Sequence, residues 1–418
     1  AKLDKLPANA KHLVRIASSL GTLVELDLFE MIVDDFYSNK PAYFAREASF
    51  RVAVARELSP LETLNIMVQE GLMYRTGKRV FRWEHDKILE AAMMRKSKRG
   101  KVYSRIGYLL LRKLNEQSLD RHLFTVVRLL NEGSNLISSS DVQKRVELAE
   151  LNLRAGKKSI DNSGFDSART YFNKGIAMLP PNHSRIYHSL SLDLYCSATE
   201  SEYCVGDIVK MERHCRDVIA RPSIPLQEKR RAYTTLLNGL NGQGKSVETV
   251  SLCIEVLGKL GCTIPTRFLL PKILSGVLHA KSVEKRGIAA ELDKTPPMVD
   301  PDKLWAMDIL ADLFKYAYLA DMPNLVAVVA FKSFQWSIKY GPSPKVSMFL
   351  AQVGMLTTSV GEFKVGHSYV NQAIVELADL AHPTDKLVCD VLCQAYILAW
   401  HWTNDVDTVK LAEGYVLR

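Results

Sequence analysis

The sequence is poor in the features that identify a protein quickly. Its 418 residues hold seven cysteines, at 196, 204, 215, 253, 262, 389 and 393. An odd number with no Cys-x-x-Cys pair argues against a disulfide framework and a zinc ribbon, and a reducing, intracellular compartment fits best. Cys389 and Cys393 lie four apart on an apolar helical run, which predicts buried thiols. No run of about 18 uninterrupted apolar residues occurs, so no membrane-spanning helix is expected. The opening AKLDKLPANAKH has neither an initiator Met nor the apolar core of a secretory signal. The closing LAEGYVLR stops in what reads as mid-helix, so the chain is expected to be an internal piece of a larger protein. Strand signals are nearly missing. No Ser/His/Asp or Cys/His spacing suggests a nucleophilic centre.

What is present favours folded helical structure. Hydrophobic residues make up 47% and charged residues 24%, which allows sizeable cores and excludes a disordered chain. The formal charge of +9 is mild for this length. Leu13, Ile16, Ala17 and Leu20 have helical spacing, Gly21 breaks the run, and a second helix starts from Leu26. Ser59-Pro60-Leu61-Glu62 is a capping box with Pro at the first helical position, opening a helix that stops near Gly71. LMYR (72–75) and VFRW (80–83) flank a short turn containing Gly77 and read as a β-hairpin. Asp86 is expected to cap the next helix, KILEAAMM. Three helices followed by a two-stranded wing is the order of a winged-helix domain.

Between Arg75 and Lys113 there are thirteen Lys or Arg against three acids. That excess suits phosphate contact in nucleic acid. It also suits a solvated linker or a docking face, because much of it falls in RKSKRGK, without an aromatic until Tyr103.

From residue 145 a helix–turn–helix pattern recurs. Its turns fall at Gly164-Phe165, Val205-Gly206-Asp207, Gly242-Gln243-Gly244, Asp321-Met322, Gly361-Glu362-Phe363 and Thr403-Asn404-Asp405. The interval is about 40 residues, with one double interval that a helix pair around FLLPKILSGVLHAK is expected to fill. In AELNLRAGKKSIDNSGFDSARTYFNKGIAMLPP, the residues Gly164, Ala168, Tyr171, Ala177 and Pro180 sit where tetratricopeptide repeats place small, aromatic and stop residues.

GLNGQGKS, residues 239–246, matches the phosphate-loop pattern at Gly239, Gly244, Lys245 and Ser246. The segment before it, PLQEKRRAYTTLLN, is helical in composition rather than a buried strand, and no acidic strand follows. The motif is therefore expected to be a repeat turn with Lys245 in solvent. His85-Asp86 has the form of a phosphohydrolase metal pair, but no further His stands at helical spacing upstream. His401, between Trp400 and Trp402, reads as part of an aromatic cluster. Glu147 and Glu150 lie on the exposed side of a helix. Neither a catalytic centre nor a metal site is expected in this segment.

The runs VFRWEHDKILEAA, YSRIGYLLL, LFTVVRLLNEGSNLI and ELAELNLRAGKKSIDNSGFDSARTYFNKGIAMLP, with YILAWHWTNDVDTVKLAEGYV at the end, resemble a known assembly. They are similar to the segment after the nucleotide-binding module in AAA-type signalling ATPases of the STAND class, multidomain proteins that also carry serine/threonine kinase, GAF or histidine-kinase modules. The resemblance implies a winged helix that closes over ATP or ADP held by an upstream module, and a downstream effector module. Trp83-Glu84-His85-Asp86 resembles the "MHD" signature of that class, with Glu84 in place of Met. The resemblance makes His85 a nucleotide sensor and Asp86 a helix cap.

The expected architecture is all-α dominated. A winged-helix-like domain with one small β-hairpin covers 1–95, a helical connector 96–140, and a tetratricopeptide-like α-solenoid 141–418. The expected role is regulatory, with a protein partner on the concave face of the solenoid and no cofactor in this segment. A transcription regulator with a DNA-binding winged helix, or a scaffold without a nucleotide link, are the competing readings.

Overall fold

The computed structural model describes residues 3, 6, 8–38, 58–94, 96–380 and 383–397. His401 and the expected turn at Thr403-Asn404-Asp405 lie outside the described residues, as does most of YILAWHWTNDVDTVKLAEGYV. The chain divides into two compact units, 1–225 and 226–418.

The first unit opens with α1 (Ala8–Ser19), β1 (Leu23–Glu25), α2 (Leu26–Ser38), α3 (Pro60–Gln69), β2 (Met73–Arg75), β3 (Val80–Trp83) and α4 (Asp86–Ala92). The capping box forms as the sequence predicts: Glu62 N–H donates to Ser59 Oγ at 3.2 Å, and Ser59 N–H donates to Glu62 Oε2 at 2.8 Å. The hairpin forms too, with Met73 opposite Trp83 and Arg75 opposite Phe81. It is not alone. β1 pairs antiparallel with β3, placing Val24 opposite Phe81, so the sheet has three strands in the order β1-β3-β2. Three residues are too few for alternation to show in sequence, yet the strand buries Val24 completely.

Two long helices follow, α5 (Lys96–Lys113) and α6 (Glu116–Glu132), and then the repeat pair α7 (Val142–Asp161) and α8 (Phe165–Met178). One hydrophobic core runs from Leu6 through Phe29, Phe81, Tyr103 and Leu123 to Ala155, continuous across the joins expected at 95 and 140. Across α6 and α7 the buried amides of Asn131 and Asn152 bond each other in both directions, at 2.8 and 2.9 Å. A slip of either helix would break both bonds and leave Asn152 only its bond to Leu148 O in its own helix. The α7–α8 packing needs Gly156, where an added Cβ would lie 2.2 Å from a ring carbon of Phe172. Ala168 is buried and Tyr171 stacks on Phe124 at 5.8 Å, but Ala177 is exposed. The small residue in contact there is Gly175, pressed against Leu194. The pair α9 (His188–Cys204) and α10 (Ile208–Ile219) completes the unit.

The second unit is a helical repeat. It comprises α11 (Arg230–Gly242), α12 (Ser246–Lys259), α13 (Leu269–Arg286), α14 (Pro301–Leu319), α15 (Pro323–Tyr340), α16 (Val346–Ser359), α17 (Phe363–Ala378) and α18 (Asp385–Leu392), with a π-helical turn over Cys393–Ile397. Successive pairs are α11–α12, α14–α15 and α16–α17, and α12 packs directly on α14. The FLLPKILSGVLHAK segment therefore does not fill the double interval as another repeat. It forms α13, laid across the second helices α15 and α17 of two pairs. Its seat is specific: Tyr369 Oη donates to Ala280 O at 3.0 Å, Lys281 bridges Glu362 at 2.7 Å, and Gly276 abuts Phe331. On α13, Leu270, Leu274 and Leu278 are exposed.

The thiols divide by environment. Cys196, Cys215, Cys253 and Cys262 are buried, and burial pushes Cys215 and Cys262 up to about 12. Cys389 and Cys393, expected to be buried, are exposed, because the apolar side of α18 is carried by Val391 and Leu392 instead.

Candidate functional site

The phosphate-loop motif is spread over a helix end. Gly239 is buried inside α11, Gly242 is that helix's last residue, and Ser246 is the first residue of α12. Between them the chain makes a Schellman turn. Gly244 adopts φ +71°, its N–H donates to Asn241 O at 2.9 Å, and Lys245 N–H donates to Leu240 O at 3.1 Å. Gln243 N–H donates to Gly239 O at 3.2 Å. The amides that would have to wrap a phosphate are thus turned back on helix carbonyls. Lys245 is exposed.

The same pair of bonds, with a left-handed residue, closes the helices at Ser163, Gly206, Asp321 and Gly361. Those positions and Gly244 are spaced by about 40 residues or twice that. The motif is one member of the turn series.

His85, the residue flagged as a nucleotide sensor, occupies the N-cap of α4 in extended conformation, without a side-chain capping bond, and it is exposed. Asp86 is the first residue inside the helix rather than its cap, where its charge still favours the N-terminus.

Four of the thirteen basic residues are committed internally. Arg79 bonds Asp27 and Glu30, each at 2.6 Å, and Arg105 bonds Asp35 at 2.9 Å. Arg75 folds back on the turn at Gly77 O, and Arg99 reaches Met94 O. Helix α3, the third helix of the winged-helix order, has Glu62 as its only charged residue.

Glu147 and Glu150 are exposed, as expected. Near them, Asp120 of α6 receives Lys158 at 2.6 Å and Arg154 at 2.9 Å, and these bonds hold its carboxyl below the usual range. The groove beside them is lined almost wholly by charged side chains, among which Asp120, Arg154 and Lys158 satisfy one another. Among the described residues no group of His, Cys, Asp and Glu could hold a metal ion, and no helix is long and apolar enough to cross a membrane.

A recess of about 560 Å³ opens between α14, α16 and α18, the first helices of successive pairs. Its lining is apolar at Phe314, Met348, Met355 and Leu387 and charged at Asp312, Lys315, Lys345, Lys386 and Asp390. Lys345 is held by Asp308 at 2.6 Å and Lys315 by Asp312 at 3.4 Å. Two amides belong to the wall. Gln352, 1% exposed, has an Oε1 that accepts no hydrogen bond, and Gln394 of the π-helical turn has another. Single π-helical turns are frequent where a helix has been adapted to function. Sequence reasoning did not find this recess, because its residues come from three helices about 40 positions apart. Superposing the repeat period would have brought Lys315, Met355 and Gln394 into register.

No protein-family model matches this chain, and no curated protein does. A solved structure, the STAND protein with a tetratricopeptide repeat sensor from Pyrococcus horikoshii, aligns over 99% of this chain at 11% identity. Its TM-score is 0.26, and the chain spans 63% of that structure's length. A likeness at that level decides nothing about activity.

Proposed function

We propose that the chain is a sensor and protein-interaction segment of a larger signalling protein of the STAND type, with catalysis supplied elsewhere. The observation that supports this reading best is the recess framed by α14, α16 and α18, a binding-sized space with apolar walls and a charged rim. In this reading the three-stranded N-terminal domain is a winged helix that meets an upstream nucleotide-binding module, with His85 exposed at the start of α4 to face the phosphates of ATP or ADP. Kinase or other effector modules lie downstream, and a protein partner contacts the first-helix face of the repeats. GLNGQGKS is a repeat turn.

The DNA-binding alternative is disfavoured by α3, which has no basic residue, and by Arg79, whose charge is met by two carboxylates. Two titrations separate the readings. Mg-ATP titrated into the purified chain and into Lys245→Ala should give no Lys245-dependent binding; saturable binding lost in the variant would overturn the assignment. Duplex DNA should bind weakly, with an unchanged salt slope in Arg79→Glu; a steep slope that this change reduces would favour the regulator.

A further inference from the structure

Resting on the reading of the α14–α16–α18 recess as a sensor site, we propose that its occupant is a small amphiphilic anion. The molecule would have an apolar ring or short chain, at least one N–H or O–H donor, and an acidic group.

Each part of that description answers a feature of the wall. The volume of about 560 Å³ lies in the ordinary range for small-molecule sites, about 300–1,000 Å³. Phe314, Met348, Met355 and Leu387 supply an apolar interior, and the two methionines can adjust to an occupant's shape. Gln352 and Gln394 contribute acceptor oxygens that lack donors. A buried acceptor without a partner is uncommon in a folded protein, and two beside one recess indicate a missing donor. Gln352 is 1% exposed, so only a group that enters below the rim can reach it, which the surface of a folded partner cannot do.

The acidic group is set by the rim, where three lysines stand against two aspartates. Lys315 is paired with Asp312 and Lys345 with Asp308, which leaves Lys386 and Asp390, four residues apart on α18, facing the recess without an ion pair among the described residues. An anion seated on the Lys386 side is met by that ammonium.

Anilinonaphthalene sulfonate has this chemistry, with a fused ring, one N–H and a sulfonate, and its fluorescence rises on burial. Titrated into the 418-residue chain, it should bind saturably at one site. Gln352→Met should weaken binding about tenfold, the worth of one hydrogen bond, without loss of helicity, since it replaces a buried polar group by an apolar one of similar size. Lys386→Glu, at an exposed position, should weaken it about three- to tenfold, and less so at high salt. Leu274→Ser, on the exposed stripe of α13, should change nothing.

Saturating dye should also slow maleimide labelling of Cys393, which lines the recess, and not of Cys389, which does not. This readout needs no core substitution. The proposal is overturned by absence of saturable binding, by equal affinity in the Gln352 and Lys386 variants, by loss of binding in Leu274→Ser, or by unaltered labelling of Cys393. None of these outcomes depends on Lys245, so the site and the broader functional reading can fail separately.

Discussion

Replacing Gly366 by Ala sets two effects of opposite sign against each other. Gly366 lies in α17, and glycine inside a helix costs up to about 1 kcal/mol relative to alanine. On propensity alone the substitution should stabilise. The crossing of α16 and α17 argues the other way. A Cβ at 366 would stand 2.0 Å from Thr358 Oγ1, 2.7 Å from Gly354 O and 3.1 Å from Thr358 N. Carbon atoms settle at about 3.5–4.0 Å from their neighbours, so the contact is far inside the repulsive wall. Two of the three atoms are backbone and cannot rotate away, and Thr358 Oγ1 is held by Gly354 O at 2.8 Å. The helices must part, loosening Val353, Tyr369 and Val370, all fully buried. Overpacking of this kind costs about 1–3 kcal/mol or more. Backbone atoms block the new Cβ, so the cost falls in the upper part of that range. After the propensity gain, a net loss of roughly 1–2 kcal/mol remains, a fall of about 2–8 °C in a unit of this size. Thermal unfolding followed by far-ultraviolet circular dichroism measures it. Gly258→Ala is the control, because that glycine is helical, exposed and has nothing within 4 Å of its Cβ position, so only a small gain is expected. If Gly366→Ala proves as stable as the parent chain, the close crossing of α16 and α17 is wrong.

Other outcomes can be checked on the same material. Gly244→Ala should cost about 1–2 kcal/mol from its left-handed conformation alone, since nothing lies within 4 Å of the new Cβ; urea midpoints decide it, and no loss would deny the Schellman turn. Ser59→Ala should cost about 1 kcal/mol by removing the capping box, read as faster amide exchange at the start of α3. Burial first, and then the neighbouring Arg221, hold His183 below the ordinary imidazole value of about 6.5. Its contribution to stability is complete above that value and is lost as pH falls through the folded one. The unfolding midpoint of the first unit should drop on acidification, less so in His183→Gln; a parallel drop in both chains would remove His183 as the cause. Under native conditions a thiol reagent should modify Cys204, Cys389 and Cys393 and spare Cys196, Cys215, Cys253 and Cys262; rapid reaction at Cys215 would contradict its burial.

Local chemistry was readable in advance, and long-range placement was not. The capping box, the hairpin, the glycine turns and the helical nature of PLQEKRRAYTTLLN depend on neighbours within six residues, and the sequence holds all of that information. β1 escaped notice because three residues define no period. Asp86 was assigned to the cap on residue type, yet the chain enters α4 one residue earlier, at His85. The leucines at 270, 274 and 278 have the spacing of a core-facing stripe, and only tertiary contacts reveal that α13 turns its small residues, Gly276 and Ala280, to the core instead. The recess was invisible for the same reason: Gln352 and Gln394 are unremarkable polar residues until helix packing deprives them of donors.

Helix α13 also has a mechanical consequence. Stacked helix pairs contact only their neighbours, so a repeat array bends at each joint under small loads. By packing Gly276 against Phe331 of α15 while bonding to α17, α13 spans the joint between their two pairs like a splint on the back of a hinge. The bonds, all to the α17 side, are Tyr369 to Ala280, Lys281 to Glu362 and Ser368 to Glu284. Two walls of the recess, α14 and α16, belong to the pairs so braced, while α18 lies beyond the brace. Bending strain in this unit should therefore concentrate at the α16–α18 joint, so that the recess works as a jaw with one stiff side and one compliant side.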